Sequence, residues 1–186
     1  MPDLHPSLAA RWSPRAFDGR YEVDQAELST LLEAARWAPS AGNGQPWRFA
    51  VGRRDDDVHK RIFAGLDDEE QRWAWRASAL IVAAYATAGR HDPGPHHVGP
   101  AYDLGQAVAH LSVQATTLGL HTRQMLGFDP LRLRRELDLP AEVTPHAVVA
   151  IGRLGDPATL PTDLRRREFR LRERRPIAAL LLTSAP

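Results

Sequence analysis

An uninterrupted run of eight apolar or aromatic residues, ALIVAAYA, extends from Ala79 to Ala86. The run is far too short to cross a bilayer as a helix. Its length and composition instead predict a buried strand. A second run, HAVVAIG from His146, predicts another strand. At 186 residues the chain fits one domain, residues 1–186, so both strands are expected within a single fold.

Helical patterns surround these two strands. Residues 24–27 form a capping box, and apolar residues follow at helical spacing until Pro39 forbids continuation. Alternation from Trp47 to Val51 then predicts a strand. Further helices are predicted over residues 55–66, 69–77 and 104–118 and after Pro130, with loops over 89–100 and 153–163. This order of elements predicts an α+β sandwich, whose topology the periodicity does not decide.

Composition and charge narrow the possible functions. The 24 basic and 23 acidic residues nearly balance, so neither nucleic acid nor an anionic membrane is an expected partner. The absence of cysteine excludes disulfides, thiolate metal sites and cysteine nucleophiles. The first residues lack the apolar run of a signal peptide, and a cytoplasmic protein is expected. The adjacent His96 and His97 lie among glycines and prolines that preorganise no metal site, so no metal is predicted.

Two guanidiniums and a hydroxyl group lie within five residues near the N-terminus. The segment reads Arg11-Trp12-Ser13-Pro14-Arg15. Arginine presents fork-shaped donors that suit a phosphate, so the segment is a candidate anion site. The alternative is a solvated loop, which is the commoner role of such a segment when it stands alone.

The stretch PSAGNGQPW, from Pro39 to Trp47, has the composition of a specialised turn. Its prolines fix the entry and the exit, and its glycines permit backbone conformations that bring N–H groups against a ligand. Asn43 and Gln45 each carry a donor and an acceptor, which can read the edge of a heterocycle. An ordinary helix end and turn seldom needs nine specified residues, so we predict a functional role.

These motifs resemble the nitroreductase family. The resemblance rests on RWSPRAF, AARWAPSAGNGQPWRF, LGLHTRQMLGFDP, HAVVAIG and RERRPI, which occur in the family's order along the chain. It implies a nitroreductase-like α/β sandwich: a central, mostly antiparallel sheet flanked by helices, in a homodimer with FMN at the interface. It also implies an enzyme that transfers hydride from NADH or NADPH to a small oxidised acceptor, such as a nitroaromatic or a quinone, by a ping-pong mechanism.

The resemblance also assigns cofactor-binding residues, position by position. Those expected near the FMN phosphate and the ribityl or pyrimidine oxygens are Arg11, Trp12, Ser13 and Arg15. Those expected to reach the flavin from the partner subunit are Pro39, Ser40, Ala41 and Asn43. Leu126 and Gly127 fall where a backbone N–H approaches flavin N5. Arg172 and Arg174, in a C-terminal arm from about residue 164, match the closing phosphate contacts. No catalytic side chain is implied, because the hydride step requires no side-chain acid or base.

Some positions depart from the family's pattern. Many relatives carry small or aromatic residues where this chain has His121, Arg123 and Gln124, and these side chains are candidates to line the acceptor pocket. Trp73 and Trp75 either cover a pocket or belong to the core, and the core is the favoured interpretation.

Other functions stay open beside this one. Sibling flavin chemistry on the same scaffold would be dehydrogenation, dehalogenation or flavin fragmentation, and a non-catalytic FMN-binding regulator would turn over poorly. A nucleic-acid-binding role would use the seven arginines between Arg165 and Arg175. Near-neutral net charge and the absence of a recognised module count against that role. Such a run is usually a solvated face whose charges pair with nearby acids, here Glu168 and Glu173.

Overall fold

Within residues 3–87 and 99–183, which the computed structural model describes, four strands form one sheet. Their bounds are β1 Trp47–Arg53, β2 Ala79–Ala86, β3 His121–Met125 and β4 Val143–Gly152. The order across the sheet is β1-β2-β4-β3, and every neighbouring pair is antiparallel. The two apolar runs of the sequence are the inner strands β2 and β4, whose side chains are covered on both faces of the sheet.

The described residues also form seven α-helices. These are α1 Pro6–Ala10, α2 Gln25–Arg36, α3 Asp57–Ala64, α4 Asp68–Ala74, α5 Gly99–Thr117, α6 Pro130–Glu136 and α7 Thr162–Glu168. The predicted capping box begins α2: Asp24 accepts the N–H of Glu27 at 2.7 Å, and Glu27 accepts the N–H of Asp24 at 3.0 Å. No helix among the described residues is long and apolar enough to cross a membrane.

The sheet separates two hydrophobic layers. Ala79, Ile81 and Ala83 of β2 pack with α2 and α5 on one face. Leu80 and Val82 pack on the other face with α3, α4, α6 and α7. Alternate residues of a strand point to opposite faces, so one apolar run supplies both layers. The predicted α+β sandwich with helices on both faces of an antiparallel sheet is confirmed.

Several local predictions differ from the structure. The prediction of a loop over 89–100 is wrong for its last two residues, because Gly99 and Pro100 belong to α5. The rest of that prediction, 89–98, lies outside the described residues. The loop predicted over 153–163 already contains the start of α7. Trp73 is fully buried, as predicted, but Trp75 is 51% exposed. The Trp75 ring instead lies 4.9 Å from the guanidinium of Arg76, so a cation contact replaces core packing.

Strand β3 is missing from the sequence prediction. Its residues, HTRQM, are largely polar, and of these five only Thr122 and Met125 are buried. An edge strand has a neighbour on one side only, and here β4 alone defines it, through pairing from His121 with Gly152 to Met125 with Val148. A strand that depends on one partner leaves little periodic signal in its own sequence.

Candidate cofactor site

The segment Arg11–Arg15 is held against the domain by Glu168 of α7. The Glu168 carboxylate accepts the N–H of Arg15 at 2.8 and 3.1 Å and the N–H of Ala16 at 2.9 Å. The side chain is buried, at 8% exposure. A buried carboxylate that receives main-chain N–H groups forms strong, charge-assisted hydrogen bonds. The segment is therefore a fixed part of the domain, which argues against the solvated-loop interpretation.

Three guanidiniums from the two ends of the chain meet beside this segment. Arg172 donates to the carbonyl oxygens of Arg11 and Ala9, at 2.8 and 2.7 Å. Burial lowers the pKa of Arg11, and the nearby guanidiniums of Arg174 and Arg172 lower it further. None of the three forms a salt bridge with a carboxylate in the described part of the chain. Clustered cations without a counter-ion form a candidate anion site.

Further inside, Arg123 of β3 lies near Arg15 and Glu70 of α4. Arg123 donates to the carbonyl of Ser13 at 2.8 Å, and its guanidinium carbon lies 5.5 Å from the centre of the Trp73 ring. Burial lowers the pKa of Arg123, and the charge of Arg15 adds to this. Burial raises the pKa of Glu70 against the opposing influence of Arg123.

This inner cluster contains polar atoms without partners. The Nε atoms of Arg15 and Arg123 are buried and form no hydrogen bond. Buried polar atoms in folded proteins nearly always have a partner, and exceptions call for an explanation. The two guanidinium donors left without a partner are candidates to bind a polar ligand.

Strand β3 separates the three side chains that depart from the family's pattern. The ring of His121 meets that of Trp12 edge-on at 6.2 Å, and burial lowers the pKa of His121. Arg123 points to the same side, towards Ser13. Gln124 instead donates to Ser112 of α5 at 3.3 Å. Alternation along the strand therefore puts His121 and Arg123 beside the N-terminal segment and Gln124 on the other face.

Two free N–H groups follow the end of β3. Leu126 and Gly127 donate no hydrogen bond to any other described residue. The carbonyl of Gly127 accepts the N–H of Asp67 at 3.1 Å. A Cβ at position 127 would overlap the Asp67 carboxylate, which caps α4 by accepting the N–H of Glu70 at 3.0 Å. A side chain at position 127 would displace this cap, so the close approach favours glycine, and the pair presents main-chain donors at the surface.

The turn between α2 and β1 has an unusual backbone. Gly42, Asn43 and Gln45 have φ values of 54°, 57° and 46°. Left-handed conformations at non-glycine residues are strained, and such strain concentrates at binding sites. Hydrogen bonds hold the turn: Ser40 Oγ accepts the N–H of Gln45 at 3.1 Å, and Asp103 of α5 accepts that of Ala41 at 3.2 Å.

The turn presents most of its predicted contact residues to solvent. Pro39, Ala41 and Asn43 are exposed, and Ser40 is half-buried. The turn leads into β1, whereas the Arg11–Arg15 segment contacts β3 at the opposite edge of the sheet. No hydrogen bond or salt bridge in the described part of the chain joins the two. Within one chain, the two halves of the predicted site therefore lie at opposite edges of the sheet.

Glu168 is the residue that sequence reasoning missed. The pairing expected between Glu168 and the surrounding arginines is wrong, because its carboxylate binds main-chain N–H groups instead. A signal was present in the sequence: Glu168 lies four residues after Leu164, so both occupy the same face of α7, and that face is buried.

The described residues contain no cluster of side chains suited to a metal ion.

Comparison with known proteins settles the family. The nitroreductase family model matches residues 8–67 and 59–155. The chain belongs to the nitroreductase family. The matched ranges include the Arg11–Arg15 segment, the turn and the Leu126-Gly127 pair. They leave out the C-terminal arm of this nitroreductase-family chain, which carries Arg172 and Arg174.

Three similar proteins extend this comparison. An oxidoreductase containing FMN has a crystal structure with a TM-score of 0.86 and 36% identity, over 98% of this chain and 92% of that one. An NADH dehydrogenase of Thermus thermophilus is 31% identical over 70% of this chain and 77% of its own. An oxygen-insensitive NADPH nitroreductase of Helicobacter pylori is 33% identical over 64% of this chain, but the match spans only 57% of that longer protein.

Proposed function

We propose that this nitroreductase-family chain is an FMN-dependent oxidoreductase that transfers hydride from NADH or NADPH to a small oxidised acceptor. A nitroaromatic or a quinone would be such an acceptor. The observation that carries the proposal is the cluster formed by Arg11, Arg172 and Arg174, which no carboxylate neutralises within the described residues. The FMN in the similar oxidoreductase and the nicotinamide donors in the relatives' names support the proposed cofactors.

The residues present fit FMN. A phosphate carries nearly two negative charges, which the guanidiniums of Arg11 and Arg174 would balance, and the Ser13 hydroxyl lies 3.3 Å from Arg11 Nη1. The open Nε donors of Arg15 and Arg123 suit the ribityl and carbonyl oxygens of the cofactor. The free N–H of Leu126 suits an acceptor nitrogen at the edge of the flavin ring. When bound, FMN supplies the two-electron carrier that the reaction needs.

The protein's own residues contribute binding and orientation. The Leu126 N–H would hold one edge of the ring, and Arg15 and Arg123 would hold the pyrimidine side. Trp12, packed on His121, would close the wall next to β3. Donor and acceptor would bind in turn, because the cofactor would carry the two electrons between them, so we expect ping-pong kinetics. No side chain is assigned as an acid or base in the hydride step.

The proposal includes a homodimer in which the turn of one subunit reaches the cofactor of the other. The separation of the turn from the Arg11–Arg15 segment supports this arrangement. So do the exposed apolar side chains of the C-terminal arm, because a surface of that kind is usually covered by a partner. The exposed arm residues are Phe169, Leu171, Ile177, Leu180, Leu181 and Leu182. A cytoplasmic location stays a prediction.

The first prediction tests the cofactor and the activity together. The purified protein is expected to bind about one FMN per chain and to appear yellow, and NADH or NADPH is expected to bleach it in stopped-flow measurements. Reoxidation by a panel of nitroaromatics and quinones would then identify the acceptor class. Protein that stays colourless in excess FMN would disprove the proposal. Tight FMN binding without reduction by either nicotinamide would identify the non-catalytic regulator instead.

The second prediction concerns assembly. Light scattering is expected to give twice the 20.7 kDa mass of the chain at micromolar concentration. Interfaces that enclose a cofactor bury a large apolar area and are usually obligate. Truncation after Arg175 removes the apolar arm residues 177–182 and is expected to weaken the dimer. A monomer that keeps tightly bound FMN would contradict the shared site.

A further inference from the structure

Arg172 and Arg174 match the same family feature, but their surroundings differ. The two terminal nitrogens of Arg172 donate to separate main-chain carbonyls, those of Arg11 and Ala9. These carbonyls belong to the C-terminal end of α1 and the residue that follows it. Carbonyls at the end of a helix lack partners within the helix, and arginine side chains are known to satisfy them. Arg172 therefore ties the arm to the end of α1.

Arg174 has no such attachment. The hydrogen bond of its guanidinium is a short-range one, to the carbonyl of the preceding residue, Glu173, at 2.7 Å. The charges of both Arg174 and Arg172 act on Arg11 and lower its pKa. Of the two arm arginines, Arg172 is thus the one whose terminal nitrogens are bound to the main chain of α1, whereas Arg174 bonds only within the arm.

Glu168 makes a second attachment between the same two parts of the chain. Glu168 lies four residues before Arg172 in the chain. It accepts the N–H groups of Arg15 and Ala16, whereas Arg172 donates to the carbonyls of Ala9 and Arg11. The carboxylate thus accepts from one end of the Arg11–Arg15 segment, and the guanidinium donates to the other end. The N-terminal segment and the C-terminal arm are therefore joined at two points, one at each end of the Arg11–Arg15 segment.

We infer that Arg172 is a positioning residue that fastens the arm to the end of α1, and that Arg11 and Arg174 are the residues that bind the cofactor phosphate. The inference rests on the proposed FMN site and assigns different roles to its two arm arginines. Arginine can bridge two carbonyls because its donors lie in one plane in a fixed fork. The lysine ammonium is a single point charge, which binds phosphate well but does not reproduce that fork.

Lysine substitutions separate the two roles. Arg172→Lys and Arg172→Ala are both expected to weaken FMN binding about tenfold or more, because either change releases the arm. Arg174→Ala is expected to weaken it similarly, whereas Arg174→Lys keeps a cation and should stay within about threefold of the unchanged protein. Arg170→Ala is the matched control, since Arg170 is an exposed arginine of the same arm, and it should leave FMN affinity unchanged.

Riboflavin provides a ligand without the phosphate. Its affinity is expected to stay within about twofold in all five variants, because the arm acts on the phosphate. A variant that had lost its fold would bind neither ligand. Equal rescue by lysine at both positions would overturn the inference, because it would make Arg172 a phosphate ligand like Arg174. So would equal losses of FMN and riboflavin affinity in a folded Arg172 variant.

Hydrogen exchange in the protein without FMN tests the attachment independently. The N–H of Arg11 is bonded to Ser7 at 3.1 Å, and that of Ala9 to His5 at 3.1 Å. Both Arg172 variants are expected to speed exchange in residues 5–11 several-fold, and the Arg174 and Arg170 variants are not. Unchanged exchange in the Arg172 variants would refute the positioning role. If the unchanged protein failed to bind FMN, the proposed function would fall, while this readout would still decide whether Arg172 holds the arm.

Discussion

Glu168→Ala is expected to lower the free energy of unfolding by about 2–6 kcal/mol, because it leaves two buried or half-buried donors without a partner, each at a cost of about 1–3 kcal/mol. The two donors are the N–H groups of Arg15 and Ala16, which the carboxylate accepts at 2.8–3.1 Å. Water cannot easily replace a side chain that is 8% exposed. Urea denaturation of the protein without cofactor measures the change directly, and FMN affinity is expected to fall with it.

Two companion variants make this prediction specific. Glu168→Gln keeps one acceptor oxygen and is expected to lose less stability than Glu168→Ala. Glu173→Ala removes the same side chain from an exposed position on the arm and should stay within about 0.5 kcal/mol of the unchanged protein. If Glu168→Ala and Glu173→Ala unfolded at the same urea concentration, Glu168 would be one more surface acid and not an anchor.

Leu126→Pro is expected to slow reduction of the bound cofactor about tenfold to a hundredfold, which corresponds to one lost hydrogen bond of 1.5–3 kcal/mol. Proline has no N–H, so the change removes the donor proposed to hold the ring edge. Leu126→Ala keeps that donor and removes only a side chain that is 75% exposed. The cofactor bound to Leu126→Ala is expected to be reduced at nearly the same rate as in the unchanged protein. Stopped-flow mixing with NADPH measures both variants.

The comparison requires that Leu126→Pro still folds. The residue before a proline prefers extended backbone, and Met125 is already the last residue of β3, so the substitution is compatible with the strand. Circular dichroism and the binding of FMN verify the fold before the kinetics are compared. Equal reduction rates in the proline and alanine variants would remove the assigned role from the Leu126 N–H.

Local sequence patterns were sufficient for the elements whose signals lie within their own residues. The apolar runs 79–86 and 146–152 predicted the two inner strands, because continuous hydrophobicity over that length suits a strand covered on both faces. The capping box at 24–27 predicted the start of α2, because its hydrogen bonds join residues three apart. The composition of residues 11–15 and 39–47 likewise indicated binding segments. Arginines can bind an anion, and amides can bind a heterocycle edge, whatever fold presents them.

Other features depend on contacts between residues far apart in the chain. Strand β3 exists because β4 pairs with it, and Trp75 is exposed because α4 turns it away from the core that takes Trp73. The sequence predicted that Glu168 pairs with its neighbouring arginines. In the folded domain its carboxylate instead accepts the N–H groups of residues 15 and 16. Arg172 and Arg174 look alike in RERRPI, and their difference comes from which of them reaches the carbonyls of α1. Spacing along a chain specifies which side chains share a face, but a hydrogen bond across more than 150 residues is specified only by how the whole domain packs.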